Sequence, residues 1–460
     1  MASITTYENL PINLLIQQLI NTKGSQITFD ELKEELAKKD TNGSPLYYLS
    51  LKEDADLCML YYNNIPQTSS RDQFIMDLEN SCRSIILDKN VLKPVVTQYN
   101  KILYNNESLE FLKDKKWENV VVQKCYEGTL IMVFNNNNKW YVTTRRCLDA
   151  QESTWIKNNS YFEMFSEAMN GKFTFEELNK NYCYHFILVH HKNRNIVSYR
   201  FGREYKELFH ILTTEKYTLT EVNHKINDKV KYIENESYKN LDELLNVISK
   251  QNDLDKSYQK ITLEGYVLKY YYGEIYKSPF VTLKLQTNIY ETLMRLKPNN
   301  SNIYQCFLEL YQTDKLNEFL PYFTRYGNEV IRRINLSIKN MSKEVLDLYH
   351  MTRNKKNNDM YNELPEQYKK VLYELHGLYI KQRKDDFKDG VDDKKTGSSK
   401  SINVFNVYQY LKSMPSTNLR QLYFDRSILL TNKKFTFLNN KCIDTMTQST
   451  LMFKNNKNKN

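Results

Sequence analysis

Residues 119–146 read NVVVQKCYEGTLIMVFNNNNKWYVTTRR, and they combine runs of strand-forming residues with a repeat of four asparagines. The runs at 129–134 and 140–144 predict two strands, because the asparagines between them tolerate the positive φ angles of a tight turn. The β-branched run at 120–122 predicts a further strand, which leads directly into Lys124. The segment therefore predicts a β-hairpin that carries a lysine at a strand end.

A lysine in this setting has a possible chemical use as a nucleophile. An amine attacks only when it is deprotonated, which requires desolvation or nearby positive charge to lower its pKa. Arg145 and Arg146, on the returning strand, can supply that charge. Gly128 has no side chain and would let a phosphate or a purine approach the backbone closely. The alternative for this segment alone is a surface lysine beside a turn, so the rest of the chain has to decide.

The composition limits the class of protein. The chain has 460 residues, a net charge of +10 and 41% hydrophobic residues, enough for two or three domains with their own cores. It has neither a long apolar run nor a signal-peptide pattern, so we predict an intracellular, cytoplasmic protein without a membrane span. Seven scattered cysteines form no C-x-x-C pair, which argues against zinc and disulfides. The positive charge and 36 tyrosines suit a polyanion such as RNA, although an A+T-rich genome would produce the same bias.

The pattern along the chain predicts an α+β protein in four parts. These are a helical lead-in, a strand-rich domain, an all-α domain and a basic tail, over residues 1–56, 57–290, 291–430 and 431–460. In the lead-in, Thr28 and Glu31 form the capping box of a helix. Within the all-α domain, the charged segment at 381–401 predicts a flexible loop.

The strand-rich part repeats one unusual pattern, a glutamate followed by a glycine on a predicted strand. The chain has only 11 glycines, so the two pairs at 127–128 and 264–265 are informative. The other strands of this part carry basic and aromatic side chains. The candidate site residues on these strands are Arg83, Lys124, Glu127, Gly128, Arg145, Phe186, Glu264, Lys269 and Lys284.

The order of these segments resembles the covalent nucleotidyltransferases, which comprise RNA ligases, DNA ligases and mRNA capping enzymes. Their motifs run K-x-D-G, a basic strand, an F-E-like strand, E-G-x-V and K-x-K, and the similar segments here are 124–128, 144–146, 186–197, 264–267 and 282–284. The segments around Arg83 and 101–107 look most like the phage-type RNA ligase 1 branch and related proteins of large DNA viruses. The resemblance covers residues 57–290 and implies an ATP-grasp-like ligase domain of two antiparallel sheets with helices.

The resemblance also implies an activity, ATP-dependent RNA ligation by a monomer. Lys124 would attack the α-phosphate of ATP to form lysyl-AMP, the nucleotide would pass to an RNA 5′-phosphate, and a 3′-hydroxyl would displace it. Glu264 would hold Mg²⁺, and Lys284 would counter the negative charge of the phosphates. Arg83 would contact phosphate oxygens, Glu127 the ribose and Phe186 the base. Gly128, Arg145 and Lys269 would also contact the nucleotide and its phosphates.

Three features depart from the family pattern. Two residues rather than one separate Lys124 from Glu127, so Cys125 takes the lysine position by count and a strand bulge is expected to turn Lys124 into the cleft. No glutamate follows Phe186, and Thr282 replaces the first lysine of K-x-K. Two alternatives therefore stay open: a capping-type guanylyltransferase that uses GTP, and a catalytically degenerate relative that binds RNA. The helical second half favours the RNA ligase branch, because capping enzymes and DNA ligases append a β-rich barrel.

Overall fold

The structure is a computed structural model that describes residues 10–63, 71–98, 101–156, 159–202, 204–300, 303–324, 326–353, 358–388 and 401–438. Within these ranges the strands are β1 Leu49–Glu53, β2 Leu57–Tyr62, β3 Ile85–Asp88, β4 Lys93–Thr97, β5 Leu103–Tyr104, β6 Val120–Cys125, β7 Thr129–Asn136, β8 Lys139–Thr143, β9 Thr154–Ile156, β10 Asn159–Ser160, β11 Tyr182–His190, β12 Lys206–Glu215, β13 Lys231–Tyr232, β14 Asn235–Glu236, β15 Gly265–Tyr271 and β16 Phe280–Gln286. The helices are α1 Pro11–Lys23, α2 Phe29–Leu36, α3 Gln73–Ser81, α4 Asn106–Leu112, α5 Tyr161–Met169, α6 Leu241–Tyr258, α7 Asn288–Leu296, α8 Ile303–Gln312, α9 Leu316–Phe319, α10 Gly327–Arg353, α11 Asn358–Asn362, α12 Glu366–Lys388, α13 Val404–Ser413 and α14 Ser416–Leu429.

The chain forms two compact units, Met1–Thr292 and Leu293–Asn460. All strands assigned in the described ranges lie in the first unit, and the second unit is helical over those ranges. The fold is therefore a mixed α+β fold. None of the described helices is long and apolar enough to cross a membrane.

The first unit contains two five-stranded sheets, a four-stranded sheet and a two-stranded ribbon. The orders are β13-β12-β11-β7-β8, β14-β6-β15-β16-β5, β1-β2-β3-β4 and β10-β9. The expectation of purely antiparallel sheets is wrong at two edges, since β12–β13 and β16–β5 pair in parallel. Both edge strands, β13 and β5, are two residues long and reach the sheet from loops, so their direction is not set by a hairpin.

The hairpin of the opening segment is formed by β7 and β8. Asn137 and Asn138 have φ angles of 50° and 63°, which matches the turn that the asparagine repeat predicts. Lys124 is not on this hairpin, which corrects the prediction from the sequence. It lies on β6, which pairs with β14 and β15 in the other five-stranded sheet. The chain crosses from one sheet to the other over residues 126–128.

The lead-in is more than a pair of helices. The capping box of Thr28 and Glu31 opens α2 as predicted. However, β1 lies in the segment predicted as helical, and it pairs with β2 along its whole length. Buried Ile12 and Leu32 from the two helices join Leu60 of this sheet in one core. The helices and the first strand thus fold onto the four-stranded sheet because each alone would leave its apolar face in water.

Helices cover one face of each five-stranded sheet and leave the other face inside the unit. Helix α5 packs on the sheet of β7, β11 and β12, and α6 packs on the sheet of β6, β15 and β16. The inner faces lie opposite each other: burial lowers the pKa of His185 on β11 to about 3, and Lys269 on β15 is close enough to lower it further. The space between the two sheets is therefore one place where a site of the first unit can form.

The second unit is held together by a helical core with one buried ion pair. The guanidinium of Arg426 lies 2.6 Å from the Glu344 carboxylate, and both side chains are almost fully buried. Helix α12 continues to Lys388, so the start of the predicted loop is helical, and residues 389–400 lie outside the described ranges. The predicted basic tail begins with a short 3-10 helix, Lys433–Leu438, which buries Phe435; residues 439–460 are also outside those ranges.

Candidate functional site

Lys124 lies on the outer face of its sheet. Val120 and Val122 pack their side chains towards α6. Lys124 stands two positions after Val122 on the same strand, so all three side chains share one face of β6. Its Nζ atom lies 2.8 Å from Glu236 on the neighbouring strand β14. This hydrogen bond raises the pKa of Lys124 and keeps the amine protonated. The pairing of β6 with β15 has no register shift, so the expected bulge is absent and Lys124 is not turned into the cleft.

The inner face of the same strand end carries Cys125. The thiol is buried and contacts both the Glu264 carboxylate and the Lys284 ammonium. Lys284 Nζ and Gln286 Nε2 each donate to Glu264 Oε1 at 3.0 Å. The structure therefore brings together two of the predicted catalytic residues, and the third member of the group is a cysteine. Gln286 was missed from the sequence, although it stands two positions after Lys284 on the same face of β16.

The charges of this group stabilise one protonation state. Burial raises the pKa of the Cys125 thiol, and the Glu264 carboxylate raises it further. Burial alone would raise the pKa of Glu264, but the ammonium of Lys284 lowers it overall. Burial likewise opposes the charge of Lys284, but the Glu264 carboxylate helps to raise its pKa well above the usual value. At neutral pH the group is a carboxylate, an ammonium and a neutral thiol, which is a poor nucleophile.

Residues upstream of β6 form hydrogen bonds to β16, the strand that carries Lys284 and Gln286. The side-chain oxygen Oδ1 of Asn105 accepts a hydrogen bond from the backbone N–H of Gln286 at 2.9 Å. The backbone N–H of Asn105 donates to the backbone carbonyl of Lys284 at 2.8 Å. Ser108 donates to the same carbonyl at 3.2 Å. The residues at 101–107 are thus positioned beside the lysine of β16, and they hold its backbone in place.

Glu127 is committed to bonds inside the protein. Its Oε2 atom accepts from the backbone N–H groups of Ile196 at 2.8 Å and Val197 at 2.7 Å, and the hydroxyl of Tyr290 donates to Oε1 at 2.9 Å. Burial raises the pKa of Glu127. A ribose contact by this carboxylate, as the resemblance implies, would require these bonds to break. Tyr290 was missed because it stands on α7, outside every motif.

Aromatic side chains occupy the space beside the end of β6. The ring of Tyr126 stacks on that of Phe209 with centroids 4.1 Å apart. The ring of Tyr199 also stacks on that of Tyr126, with centroids 6.2 Å apart. The Tyr199 hydroxyl donates to the backbone carbonyl of Glu127 at 3.0 Å. A purine bound between β6 and β12 would have to displace these rings. The residues present therefore do not fit a nucleotide base here.

The two glycines of the glutamate–glycine pairs serve strand packing. A Cβ atom on Gly128 would lie 2.5 Å from the carbonyl oxygen of Leu188, and one on Gly265 would lie 2.1 Å from that of Leu285. Neighbouring backbone already fills the space that was expected to admit a phosphate or a purine. The expectation for Gly128 is corrected on this point, because the close approach is to β11.

Two further predicted contacts are directed elsewhere. Phe186 is fully buried on the α5 side of β11, where it stacks on Phe173 at 5.6 Å, so it cannot stack on a base in the cleft. The buried Lys269 forms an ion pair with Glu221 at 3.1 Å, and the Tyr271 hydroxyl donates to the same carboxylate at 2.7 Å. Because neighbouring residues of a strand face opposite sides, Phe186 lies on the face of β11 that α5 covers. The charge of Lys269 is paired with Glu221, a residue outside the motifs.

Arginines converge at one end of the four-stranded sheet. The guanidinium of Arg145 lies 4.5 Å from the ring centroid of Tyr62, and that of Arg146 lies 6.0 Å from Tyr61. Burial lowers the pKa of Arg145, and the nearby charges of Arg83 and Arg146 lower it further. The Nε atoms of Arg83 and Arg145 are buried without a hydrogen-bond partner among the described residues. Arg83 and Arg145, both predicted to contact phosphates, are thus brought together.

Other buried polar atoms lie next to Arg83 in the same part of the sheet. The hydroxyl of Ser84 and both amide atoms of Gln98 have no hydrogen-bond partner in the described ranges, and both side chains are fully buried. Their backbones are joined by a 2.9 Å hydrogen bond from Gln98 to Ser84. Buried polar groups normally have partners, and none of the described residues supplies one here. In the sequence, only the positions of Ser84 before β3 and of Gln98 after β4 pointed to these two residues.

The site offers little to a divalent metal. Mg²⁺ is usually held by one or two carboxylates together with water and phosphate oxygens. Glu264 Oε1 already accepts two hydrogen bonds, and the Glu127 carboxylate is engaged by backbone and tyrosine donors. No group of three His, Cys, Asp or Glu residues that could hold a metal occurs in the described ranges. The expected role of Glu264 as a metal ligand therefore does not fit this donor set.

Comparison with known proteins yields distant likenesses. No protein-family model matches the chain. One relative, the "Immediate-early protein ICP-46 homolog" of Invertebrate iridescent virus 3, is 25% identical over 143 residues, which covers 28% of this chain and 32% of that protein. The match thus spans about a third of the relative's length.

Three solved structures are also similar. A putative ATP-dependent DNA ligase from Aquifex aeolicus has a TM-score of 0.40 and 15% identity over 69% of this chain and 80% of its own. Form 2 of an archaeal ATP-dependent RNA ligase has a TM-score of 0.40 and 14% identity over 69% and 83%, and form 1 has 0.36 and 12% over 67% and 79%. These names agree with the family that the sequence resembles. Identities this low carry no site residue from one chain to another, so the function rests on the geometry of this chain.

Proposed function

We propose that this protein is a catalytically degenerate relative of the covalent nucleotidyltransferases that binds RNA without forming a covalent intermediate. The observation that carries the proposal is the contact of Cys125, rather than a lysine, with Glu264 and Lys284. A thiol cannot form the phosphoramidate on which lysyl-nucleotide chemistry depends. The amine next to it in sequence, Lys124, is held on the opposite face by Glu236.

The proposed contact with RNA is made by the arginines at the end of the four-stranded sheet. Arg83 and Arg145 each present a buried, partnerless Nε–H, and guanidinium groups bind phosphate oxygens bidentately. Tyr62 and Tyr61, already under the guanidiniums of Arg145 and Arg146, keep these groups ordered. The ligand that fits is the phosphate of an RNA strand, and a terminal 5′-phosphate carries the most negative charge.

ATP-dependent RNA ligation through lysyl-AMP is the second candidate. The pair of Glu264 and Lys284, held between the two sheets, favours it, because the resemblance assigns catalysis to both residues. It requires Lys124 to leave Glu236 and to cross to the inner face of β6. A guanylyltransferase that uses GTP would need the same movement.

Covalent labelling separates these possibilities. The full chain is incubated with α-labelled ATP or GTP and Mg²⁺, and protein-bound label is measured for wild type, Lys124→Ala and Cys125→Lys. We expect no label on wild type or on Lys124→Ala, while Cys125→Lys tests whether an amine at the inner position gains it. Label on wild type that is lost in Lys124→Ala would overturn the proposal and establish the ligase with ATP or the guanylyltransferase with GTP.

A further inference from the structure

The second unit contains a groove of about 610 Å³ between α10 and α13. Lys339 and Lys343 of α10 stand on its rim, one helical turn apart, and both are exposed. Neither lysine forms an ion pair with another described residue. Two like charges four residues apart on a helix repel each other weakly, and an anion over them would remove this repulsion.

The opposite wall presents an aromatic ring to solvent. Phe405 of α13 is 66% exposed, far more than a phenylalanine that contributes to a helical core. Leu336 of α10 is also exposed and lines the same groove. Exposed apolar side chains are common one at a time, but here they share a concave surface with two cations.

Tyr408, which lines the groove, forms hydrogen bonds to two neighbouring helices. The hydroxyl of Tyr408 lies 2.7 Å from that of Tyr311, and it also donates to Asn335 Oδ1 at 3.4 Å. These bonds hold α13 against α10 and keep the groove open beside Phe405. The groove therefore combines an accessible ring with two accessible ammonium groups.

We propose that this groove binds a segment of single-stranded RNA, with a base stacked on Phe405 and the backbone phosphates held by Lys339 and Lys343. The charge and the ring select this occupant, because single-stranded nucleic acids are bound by aromatic platforms next to basic side chains. A partner peptide would need acidic residues to pair with the two lysines. The choice of RNA rests on the proposed function, and the groove adds a second site with its own chemistry.

The two kinds of side chain predict separable effects. Removal of the lysines weakens the dependence of affinity on salt, by about 0.7 per phosphate contact in a plot of log K against log salt. Removal of the ring leaves that slope unchanged and lowers affinity by about 5- to 150-fold, which corresponds to the stacking of one base at about 1–3 kcal/mol.

The test uses the full chain and a 5′-hydroxyl single-stranded RNA, whose binding is followed by fluorescence anisotropy between low and moderate salt. We expect Phe405→Ala to lower affinity at every salt concentration, and Lys339→Ala/Lys343→Ala to reduce the salt slope by about 1.4. Lys370→Ala and Tyr373→Ala are the matched controls, because Lys370 is exposed and Tyr373 is 76% exposed on α12, outside the groove. Circular dichroism and thermal melting verify that each variant is folded.

Two results would overturn the inference. The first is wild-type affinity and salt slope in the folded groove variants. The second is a wild-type chain that sediments as a dimer and becomes monomeric in Phe405→Ala, which would mean that a second copy covers the groove. Arg83→Ala/Arg145→Ala separates this inference from the proposed function, since it should lose only the preference for a 5′-phosphate. A wild-type chain that binds no RNA would refute both.

Discussion

The ammonium of Lys284 lies 3.0 Å from the carboxylate of Glu264, and both side chains are largely buried, at 19% and 7% exposure. Buried ion pairs are retained only when both charges are satisfied, because an unpaired buried charge is costly. Here Gln286 and the thiol of Cys125 complete the contacts. The charge of Lys284 is therefore neutralised inside the protein.

Breaking this pair should destabilise the first unit strongly. Glu264→Ala leaves the Lys284 charge buried, so we expect a loss of about 3–5 kcal/mol in the free energy of unfolding. Glu236→Ala is the control, because its pair with the half-exposed Lys124 is worth about 0–1 kcal/mol. Urea denaturation measures both. Equal losses of unfolding free energy in the two variants would mean that the buried pair stabilises the protein no more than the exposed pair does.

Gly128 should tolerate no side chain. A Cβ atom would meet the Leu188 carbonyl at 2.5 Å, so Gly128→Ala forces β7 and β11 apart at a cost of about 1–3 kcal/mol. Gly377, inside α12, has open space where an added methyl group would lie, and Gly377→Ala should raise stability by about 1 kcal/mol through helix propensity. Thermal denaturation of the two alanine variants gives the comparison. A stable Gly128→Ala protein would show that the space beside this glycine is open.

Stability should fall as the pH is lowered below about 6.5. Burial lowers the pKa of His185 and His210 to about 3 and that of His190 to about 4, whereas the unfolded chain titrates its histidines near 6.5. Between these values the unfolded state binds more protons, so each histidine removes up to about 1.4 kcal/mol of stability per pH unit. Urea denaturation at pH 7, 6 and 5 measures the slope. His210→Gln should reduce it, and an unchanged slope in that variant would exclude His210 as a contributor.

Phosphate should stabilise the wild-type chain through the arginine group. An anion that occupies the partnerless donors of Arg83 and Arg145 binds only the folded state and raises the melting temperature. Arg145→Ala should abolish this increase and weaken binding of 5′-phosphorylated RNA by about 10- to 100-fold, the value of a hydrogen bond to a charged group. The control is Arg333→Ala, because Arg333 is exposed and paired with Glu329 on α10. If both variants lose the same affinity, binding depends on net charge and not on this site.

Much of the local structure could be predicted from the sequence. The asparagine turn, the capping box of Thr28, the strand positions and the helical character of the described second half follow from patterns between near neighbours. The resemblance implied that Glu264 and Lys284 act together, and the structure pairs the strands β15 and β16 and brings the two side chains into contact. The functional roles of these residues stay predictions until the labelling and binding experiments are done.

The tertiary structure decided which side chains of these strands meet. In a regular strand, neighbouring residues face opposite sides, so the register of β6 against β15 placed Cys125 inside and Lys124 outside. No local pattern determines that choice, because it depends on which face α6 covers and on the pairing of Lys124 with Glu236 on β14. The same holds for the partnerless atoms of Arg83, Ser84 and Gln98. Sequence neighbours set the elements, and long-range packing, which fixes register and burial, decided which chemical groups share a site.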